Sequence, residues 1–348
     1  MKNHREKLHL PICIIFLFIA IIILSVSCSD NKKVLYVYNW SDYLDPKLVT
    51  KFEKLYNCRI IFDYFDSNEA MYAKLKVGCS GYDLIVPSSY MASIMYKQKM
   101  VKKIDKTKTP NLKYADYKYS QKTEDPDMIY SVPFAVSFTG IGYNAKRIKN
   151  IRPTCGMFDD NEYSGRMTML DDMREAIGAS LKYLGYSLNT VDDDQLNKAR
   201  IQMLKWKKNL AAYQSDAAKS SLGAGILLLI QAYNGDIYQM KDDNPALDFI
   251  VPREGTSIGV DVMVIPTDAV NTDLACKFIN FMYAPENCAD NMEYIYYLCP
   301  NKAAFKLLDR DLRKKLIIPE KILDKSEVII DLGADNEKYV SIWDEIKA

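Results

Sequence analysis

Histidine is almost absent from the sequence. The chain of 348 residues contains two, His4 and His9, and both precede its first apolar run. Once the N-terminal segment is removed, the protein has no imidazole, so Ser-His-Asp and Cys-His catalysis, histidine metal sites and histidine pH switches are excluded together. The sequence also lacks a CxxC pair and a glycine-rich phosphate loop. We therefore expect a protein that is not an enzyme and that needs no cofactor and no metal.

An excess of charge of either sign is missing as well. The 46 basic residues balance 45 acidic ones, which gives a formal net charge of +1. Proteins that bind nucleic acid normally carry a basic excess or a basic stripe, so we expect no nucleic-acid partner. Only 14 glycines and 13 prolines accompany a hydrophobic content of 49%, which excludes disordered and low-complexity chains. A globular chain of this length usually divides into two domains.

The N-terminus has the pattern of an export signal. A basic start is followed by an apolar run over residues 12–24, which is shorter than the ~20 residues of a membrane span. The run ends before Cys28, and a small residue followed by a lone cysteine resembles a lipobox, although Ser25 stands where a leucine is usual. We predict a signal peptide over 1–27, a tether over 28–33 lipidated at Cys28, and a periplasmic protein anchored to a membrane. An uncleaved N-terminal anchor is the alternative.

Strand and helix patterns alternate along the rest of the chain. Strand patterns cover 34–38, 59–64 and 83–86. Helices are predicted after an N-cap at Asp45 with Pro46 in the first position, after an N-cap at Asn68, and from near Met91. Further on come a strand pattern at 167–170, a helix ending at Leu184, an apolar run at 226–230, a strand at 260–265 and helices at 275–283 and 306–316. This alternation predicts an α/β protein whose mostly parallel sheets are flanked by helices.

The two expected domains are not separated by a flexible linker. The chain therefore crosses between them in short β-segments, and we place the crossings near Ser137 and Gly259. The predicted first lobe comprises 34–137 and 260–306, and the predicted second lobe comprises 138–259 and 307–348.

Carboxylates, aromatic rings and hydroxyls follow the predicted strands. Ligands of open α/β sheets bind at the carboxyl ends of strands, and both carboxylates and aromatic faces attract cations. A ligand with two or more ammonium groups joined by methylenes suits such a set. Each member also has a purely structural interpretation: Asp172 and Glu175 fit the cap of a helix, and Asp42 fits a turn.

Several ordered segments resemble the spermidine/putrescine-binding proteins of bacterial polyamine ABC importers, over nearly all of the chain from Val34. The segments are 38–43, 67–75, 82–90, 130–133, 171–175 and 252–255, the last leading to Asp261. The resemblance implies the two-lobed periplasmic-binding-protein fold, with a hinge between lobes that close over the ligand. It also implies a polyamine ligand, spermidine or putrescine, a membrane permease as partner, and a monomer.

The resemblance also assigns roles by position. The residues that it places in an aromatic box around the ligand are Trp40, Tyr43, Tyr90 and Tyr233. Those that it places beside the amines are Asp172, Glu175 and Asp261. Further polar contacts are Ser41, Asp42, Ser88 and Ser215. Two positions depart from the family: Gly259 replaces a tryptophan, so that the box is open on one side, and Ile329 replaces a polar residue that helps to hold a terminal amine.

Two other functions remain open at this stage. Asp172 and Glu175 could serve as the acid and base of a glycosidase, although carboxylates on one helical turn rarely flank a scissile bond. Gly259 and Ile329 are compatible with a surface lipoprotein or adhesin that has a degenerate pocket.

Overall fold

The computed structural model describes residues 32–65, 67–78 and 81–348. The predicted signal peptide and Cys28 lie outside the described residues. The strands are β1 (Lys33–Asn39), β2 (Cys58–Tyr64), β3 (Leu84–Ile85), β4 (Val132–Asn144), β5 (Met167–Met169), β6 (Leu210–Tyr213), β7 (Leu229–Tyr233), β8 (Leu247–Ile250), β9 (Ser257–Met263) and β10 (Glu327–Val328).

Helices lie between and after these strands along the described part of the chain. They are α1 (Pro46–Tyr56), α2 (Asn68–Lys76), α3 (Ser89–Lys97), α4 (Tyr117–Ser120), α5 (Met173–Tyr183), α6 (Asp193–Lys207), α7 (Asp216–Gly223), α8 (Asn234–Asp243), α9 (Thr272–Met282), α10 (Pro285–Ile295), α11 (Lys302–Leu307), α12 (Arg310–Lys315), α13 (Glu320–Leu323) and α14 (Asn336–Lys347). Short 3-10 turns cover Pro110–Tyr114, Cys155–Asp159, Asn161–Tyr163 and Gly333–Asp335.

The strands form two sheets that meet at the antiparallel pair β4 and β9. The first sheet is parallel, in the order β2-β1-β3, and the second has the order β10-β9-β4-β7-β5-β6, with β8 beside β4. Single antiparallel bridges from Ile85 to Val264 and from Ser88 to Asp261 join the end of β3 to β9. The predicted two-lobed α/β fold with mixed sheets is therefore confirmed.

β4 is the element that passes from one hydrophobic core to the other. Its first half contributes Val136 and Phe138 to a core built around β1, β3 and β9, and its second half contributes Ile141 and Tyr143 to a core around α5 and α6. Ser137 pairs with Gly259 in the register of β4 and β9. The apolar side chains of 308–328 pack with the first core, and those of 339–346 pack with the second. The lobe boundaries at 137, 259 and 306 stay predictions.

The helix starts show which sequence signals were interpreted correctly. Asp45 caps α1 as expected, since its Oδ1 accepts a hydrogen bond from Lys47 N at 2.8 Å. The predicted cap at Asn68 is wrong, because Ser67 caps α2 by accepting from Ala70 N at 3.2 Å. The single helix predicted over 306–316 is also wrong. The first helix ends at Leu307. Asp309 caps a second helix by accepting hydrogen bonds from Asp311 N at 2.7 Å and Leu312 N at 2.9 Å.

Two further properties concern the described ranges alone. Within them, no helix combines the length and the apolar character that a membrane crossing requires. The cysteines described there are buried and unbridged; they are Cys58, Cys155, Cys276, Cys288 and Cys299.

Candidate functional site

Asp261 is a buried carboxylate at the junction of the two sheets. It lies on β9, where its Oδ2 accepts a hydrogen bond from Tyr43 Oη at 2.9 Å and its Oδ1 accepts one from Ser88 Oγ at 2.8 Å. Burial raises the pKa of Asp261 to about 6, against the opposing effect of these two hydrogen bonds. Because two hydroxyls replace only part of its hydration, the ionised carboxylate would gain from a nearby cation.

The Ser88 hydroxyl owes its position to the start of α2. Asn68 Nδ2 donates to Ser88 Oγ at 3.1 Å, and Ser88 N donates to Asn68 Oδ1 at 3.1 Å. Asn68 is itself buried, so this two-way contact fixes Ser88 at the end of β3. The hydroxyl is thereby directed at Asp261.

Glu175 is the second buried carboxylate and lies in the first turn of α5. Its carboxylate accepts hydrogen bonds from Thr139 Oγ1 at 2.8 Å and from Ser257 Oγ at 2.7 Å. Burial, followed by the charge of Asp172, raises the pKa of Glu175 to about 7. Thr139 is on β4 and Ser257 is on β9, the strand that also carries Asp261. The paired strands β4 and β9 therefore link the two buried carboxylates.

Asp172 combines a structural role with a position facing solvent. Its Oδ1 accepts from Glu175 N at 3.0 Å and so caps α5, as the structural interpretation expected. The residue is exposed, yet desolvation and then the charge of Glu69 raise its pKa.

Tyr233 connects the two carboxylate groups. It ends β7 and stands opposite Thr139 in the β4–β7 register. Its pKa is raised well above the ordinary value by burial and then by the charges of Glu175, Asp172 and Asp261. The charges of all three carboxylates that the resemblance places beside the amines thus act on this one tyrosine.

Aromatic rings form the side of the site next to Asp261. The ring of Tyr43 lies 6.5 Å from Trp40, 5.2 Å from Tyr297 and 6.3 Å from Phe134, measured between centroids. On the other side Tyr90 Oη donates to Glu69 Oε1 at 3.1 Å, and the charge of Asp172 contributes to raising the Tyr90 pKa after burial and Glu69. Tyr43 thus bonds Asp261, and Trp40 packs next to Tyr43. The role of the four predicted box residues around a ligand stays a prediction.

Three predicted polar contacts are less enclosed. Ser41, Asp42 and Ser215 are exposed. Asp42 has a φ of 57° in the turn after β1. The pKa of Tyr64 on the neighbouring strand is raised mainly by the burial of Tyr64 and then by the charge of Asp42. Ser215 precedes the first residue of α7. A role for these three in ligand binding stays a prediction.

The two departures from the family pattern have different surroundings. Gly259 is not next to empty space, because the hydroxyl of Ser137 on the paired strand lies where a Cβ of residue 259 would be. A side chain at residue 259 would therefore meet the Ser137 side chain, and the open side of the box stays a prediction. Ile329 is half-buried directly after β10.

Sequence reasoning missed several residues that complete the site. They are Glu69, Thr139, Asp236, Ser257 and Tyr297. Glu69 lies in one of the segments that carried the resemblance, and Asp236 follows the end of β7 and Asn234-Gly235, but Thr139, Ser257 and Tyr297 follow no strand end and no turn signal. Only the strand register and the packing of α8 against the segment after α10 bring them to the site. Within the described ranges, no group of three or more histidine, cysteine, aspartate or glutamate side chains is arranged to hold a metal ion.

Comparison with known proteins identifies the family. The sequence profile of the bacterial extracellular solute-binding proteins matches residues 47–314. The chain belongs to this family. It is 34% identical over 330 residues to the spermidine/putrescine-binding periplasmic protein of Escherichia coli K12, covering 93% of this chain and 94% of that protein. It is 31% identical over 349 residues to the putrescine-binding periplasmic protein SpuD of Pseudomonas aeruginosa, covering 92% and 93%.

A solved structure gives the same result for the fold of this solute-binding protein. The Tp0655 (TpPotD) lipoprotein of Treponema pallidum superimposes with a TM-score of 0.82 at 33% identity, covering 90% of this chain and 99% of that one. The resemblance seen in the sequence is therefore confirmed. These relatives are solute-binding proteins of transport systems, which fits a protein that is not an enzyme.

Proposed function

We propose that this solute-binding protein captures a polyamine in the cleft between its lobes and delivers it to the membrane permease of an ABC importer. The strand register carries the proposal, because Thr139 on β4 donates to Glu175 and stands opposite Tyr233, while Asp261 lies on β9, the strand paired with β4. Three carboxylates around an aromatic face form a site for a ligand with several ammonium groups. The names of the relatives, which are spermidine/putrescine- and putrescine-binding proteins, support the same ligand class.

The nearest arginine does not supply the missing cation. Arg174 follows Asp172 directly, but its guanidinium donates to Asn189 Oδ1 at 2.8 Å and to the Ile330 carbonyl at 3.1 Å. The guanidinium also stacks over Tyr339, with its central carbon 4.7 Å from the ring centroid. These contacts hold the guanidinium on groups other than the carboxylates, and its charge offsets only part of the rise in the pKa values of Asp172 and Glu175, so an ammonium group from the ligand is the natural partner of the two carboxylates.

The energies are sufficient for transport-grade binding. Micromolar affinity corresponds to about 8 kcal/mol. Each hydrogen bond to a charged group contributes about 1.5–3 kcal/mol, and each cation–π contact about 0.5–2 kcal/mol. Three carboxylates and the rings of Trp40, Tyr43 and Tyr233 therefore supply the affinity with a surplus for ordering the ligand and closing the lobes.

The spacing of the carboxylates favours a triamine. Ser257, which holds Glu175, and Asp261 lie on the same face of β9, four residues apart, which corresponds to roughly 13 Å along a strand. That span is longer than a four-methylene diamine but within the reach of a triamine. We therefore propose spermidine as the preferred ligand and putrescine as a weaker one.

Calorimetry with purified protein tests the ligand and the site together. We expect micromolar binding of spermidine, and a large loss of affinity in Asp172→Asn and Trp40→Ala. Asp248→Asn is the matched control, since Asp248 is a carboxylate of the same chain that pairs with Lys241 at 2.7 Å outside the site. Unchanged affinity in both site variants would refute the site. Failure of every di-, tri- and tetra-amine to raise the melting temperature would favour the degenerate-pocket alternative.

We also propose that the protein is a monomeric lipoprotein attached to a membrane through Cys28. The lipobox-like sequence supports this, and the Treponema pallidum relative is itself described as a lipoprotein. Palmitate labelling of the full-length protein in bacteria should yield a labelled, membrane-associated species. Cys28→Ser should remove the label, and persistence of the label in that variant would contradict lipidation at this residue.

A further inference from the structure

A lysine lies within the protein beside the aromatic end of the site. Lys219 Nζ, on α7, is 2.9 Å from Asp216 Oδ1 and 3.4 Å from Asp236 Oδ2. The other oxygen of Asp236 accepts a hydrogen bond from Tyr297 Oη at 2.9 Å. A chain of contacts thus runs from an ammonium group of the protein through a carboxylate to a tyrosine of the site.

Tyr297 connects this ion pair to the proposed ligand position. Its ring lies 5.2 Å from the ring of Tyr43, whose hydroxyl donates to Asp261. A Cβ on Gly235 would lie 2.6 Å from two carbon atoms of the Tyr297 ring, so the ring packs directly on the backbone at the start of α8. Asp236, one residue further along α8, therefore lies next to Tyr297 and accepts a hydrogen bond from its hydroxyl.

The electrostatics show that Asp236 belongs to the site. After burial, the charge of Asp236 is among the causes that raise the pKa values of both Tyr43 and Tyr297. Burial raises the pKa of Asp236, and Lys219 partly offsets that rise. Burial lowers the pKa of Lys219, but Asp236 and Asp216 outweigh it and raise the value overall. Lys219 therefore remains a cation in this environment.

Without Lys219, Asp236 would be a fourth carboxylate for an ammonium group. It is desolvated, as Asp261 is, and it lies close enough to the aromatic rings for an alkyl chain to reach it along them. The Lys219 side chain is only 30% exposed. Its ammonium group, which belongs to the protein itself, therefore takes the cation position next to Asp236.

Resting on the proposed function, we infer that Lys219 is a specificity-determining residue, whose ammonium group occupies a fourth amine position at Asp236. The ligand then has the three carboxylates proposed as partners of its amines, Asp172, Glu175 and Asp261, while Glu69 borders the site and accepts a hydrogen bond from Tyr90. Triamines satisfy all of them, and a tetraamine has one charge without a partner, which lowers its affinity.

Replacement of Lys219 by methionine tests the inference. Calorimetry at fixed ionic strength compares putrescine, spermidine and the tetraamine spermine on the wild-type protein and on Lys219→Met. We expect the affinity for spermine relative to spermidine to rise by roughly tenfold or more, the effect of one added charge-assisted contact. Lys241→Met is the matched control, because Lys241 is 31% exposed and pairs with Asp248 away from the site. It should keep the wild-type ratio.

Two further variants separate specificity from structure. Lys219→Met combined with Asp236→Asn should return the spermine ratio to the wild-type value, because the fourth carboxylate is then gone. Asp236→Asn alone leaves the Lys219 charge paired only with the exposed Asp216, so the positive charge beside the site is less screened and all three amines should bind more weakly, spermine most of all. Circular dichroism melting of each variant confirms that the compared proteins are folded.

The possible failures are distinguishable. Wild-type binding of spermidine together with an unchanged spermine ratio in Lys219→Met overturns this inference alone. An equal loss for all three amines in that variant also overturns it, because it assigns Lys219 a structural role. Absence of binding of every amine to the wild-type protein overturns the proposed function and this inference with it.

Discussion

Asp261→Asn should stabilise the ligand-free protein and abolish its function. Burial raises the pKa of Asp261 from the ordinary 3.8 to about 6. Since a difference of one in pKa corresponds to about 1.4 kcal/mol, ionised Asp261 costs about 3 kcal/mol of folding free energy at neutral pH. The amide has no charge to desolvate but must rearrange one of the hydrogen bonds from Tyr43 and Ser88, which costs about 1 kcal/mol. The net gain in unfolding free energy is about 2 kcal/mol.

The sign of the pH dependence makes the prediction specific. Between about pH 4 and 6 folded Asp261 holds a proton that the unfolded chain has released, so the stability of the wild-type protein falls as pH rises through this window. The asparagine variant lacks that contribution. Its advantage should therefore be absent near pH 4 and complete by about pH 7.

Urea unfolding at both pH values, without ligand, measures this difference. Asp248→Asn serves as the control, and it should show no comparable gain at neutral pH. The same preparations should lose spermidine affinity in Asp261→Asn by about a hundredfold or more, because removing one partner of a buried charge pair costs about 3–5 kcal/mol. A ligand-free Asp261→Asn protein that is less stable than wild type at pH 7 would refute the reasoning.

Proton binding and two glycines provide further tests. The affinity for spermidine should fall as pH is lowered from 8 to 6, because Glu175, whose pKa is about 7, must lose its proton to pair with an ammonium group. Calorimetry in buffers of different ionisation enthalpy should detect the proton released on binding. Glu175→Gln should reduce the number of protons released. Gly259→Ala places a Cβ against the hydroxyl of Ser137 and should cost about 1–3 kcal/mol in urea unfolding, and Ser137→Gly in the same chain should recover most of it. Gly235→Ala should displace an aromatic ring of the site and weaken spermidine binding in calorimetry. Gly223→Ala, where a Cβ meets only a side-chain tip at 3.3 Å, should leave binding unchanged.

The alternation of strands and helices was predictable because it depends on local signals. Asp45-Pro46 starts a helix through one side chain and one fixed backbone angle, and both are visible in the sequence. The break at Asp309 was not predicted, since the apolar spacing continues through it. There the hydrogen bonds from Asp309 to two backbone amides outweigh a continuous helix.

The site was predictable where it follows strand ends and unpredictable where it depends on register. Asp172 follows a predicted strand and Tyr233 follows an apolar run. Both are therefore found by the rule that ligands of α/β sheets bind at the carboxyl ends of strands. Ser257 lies at the start of a strand and holds Glu175 only because the pairing of β4 with β9 places it there. Tyr297 depends on a glycine 62 positions earlier, and no local pattern connects the two.

The raised pKa values of Asp261 and Glu175 suit binding better than catalysis by acid and base. Asp172 and Glu175 share one helical turn, and both oxygens of Glu175 are bonded to hydroxyls of β4 and β9, so the pair does not flank a bond as glycosidase carboxylates do. The free energy that desolvation costs the ligand-free protein is recovered when an ammonium group arrives, because the ion pair replaces the missing hydration. A ligand without that charge recovers nothing and leaves the carboxylates buried and unpaired. The proposed selectivity for polyamines over neutral solutes would therefore arise from the same desolvation that lowers the stability of the empty site.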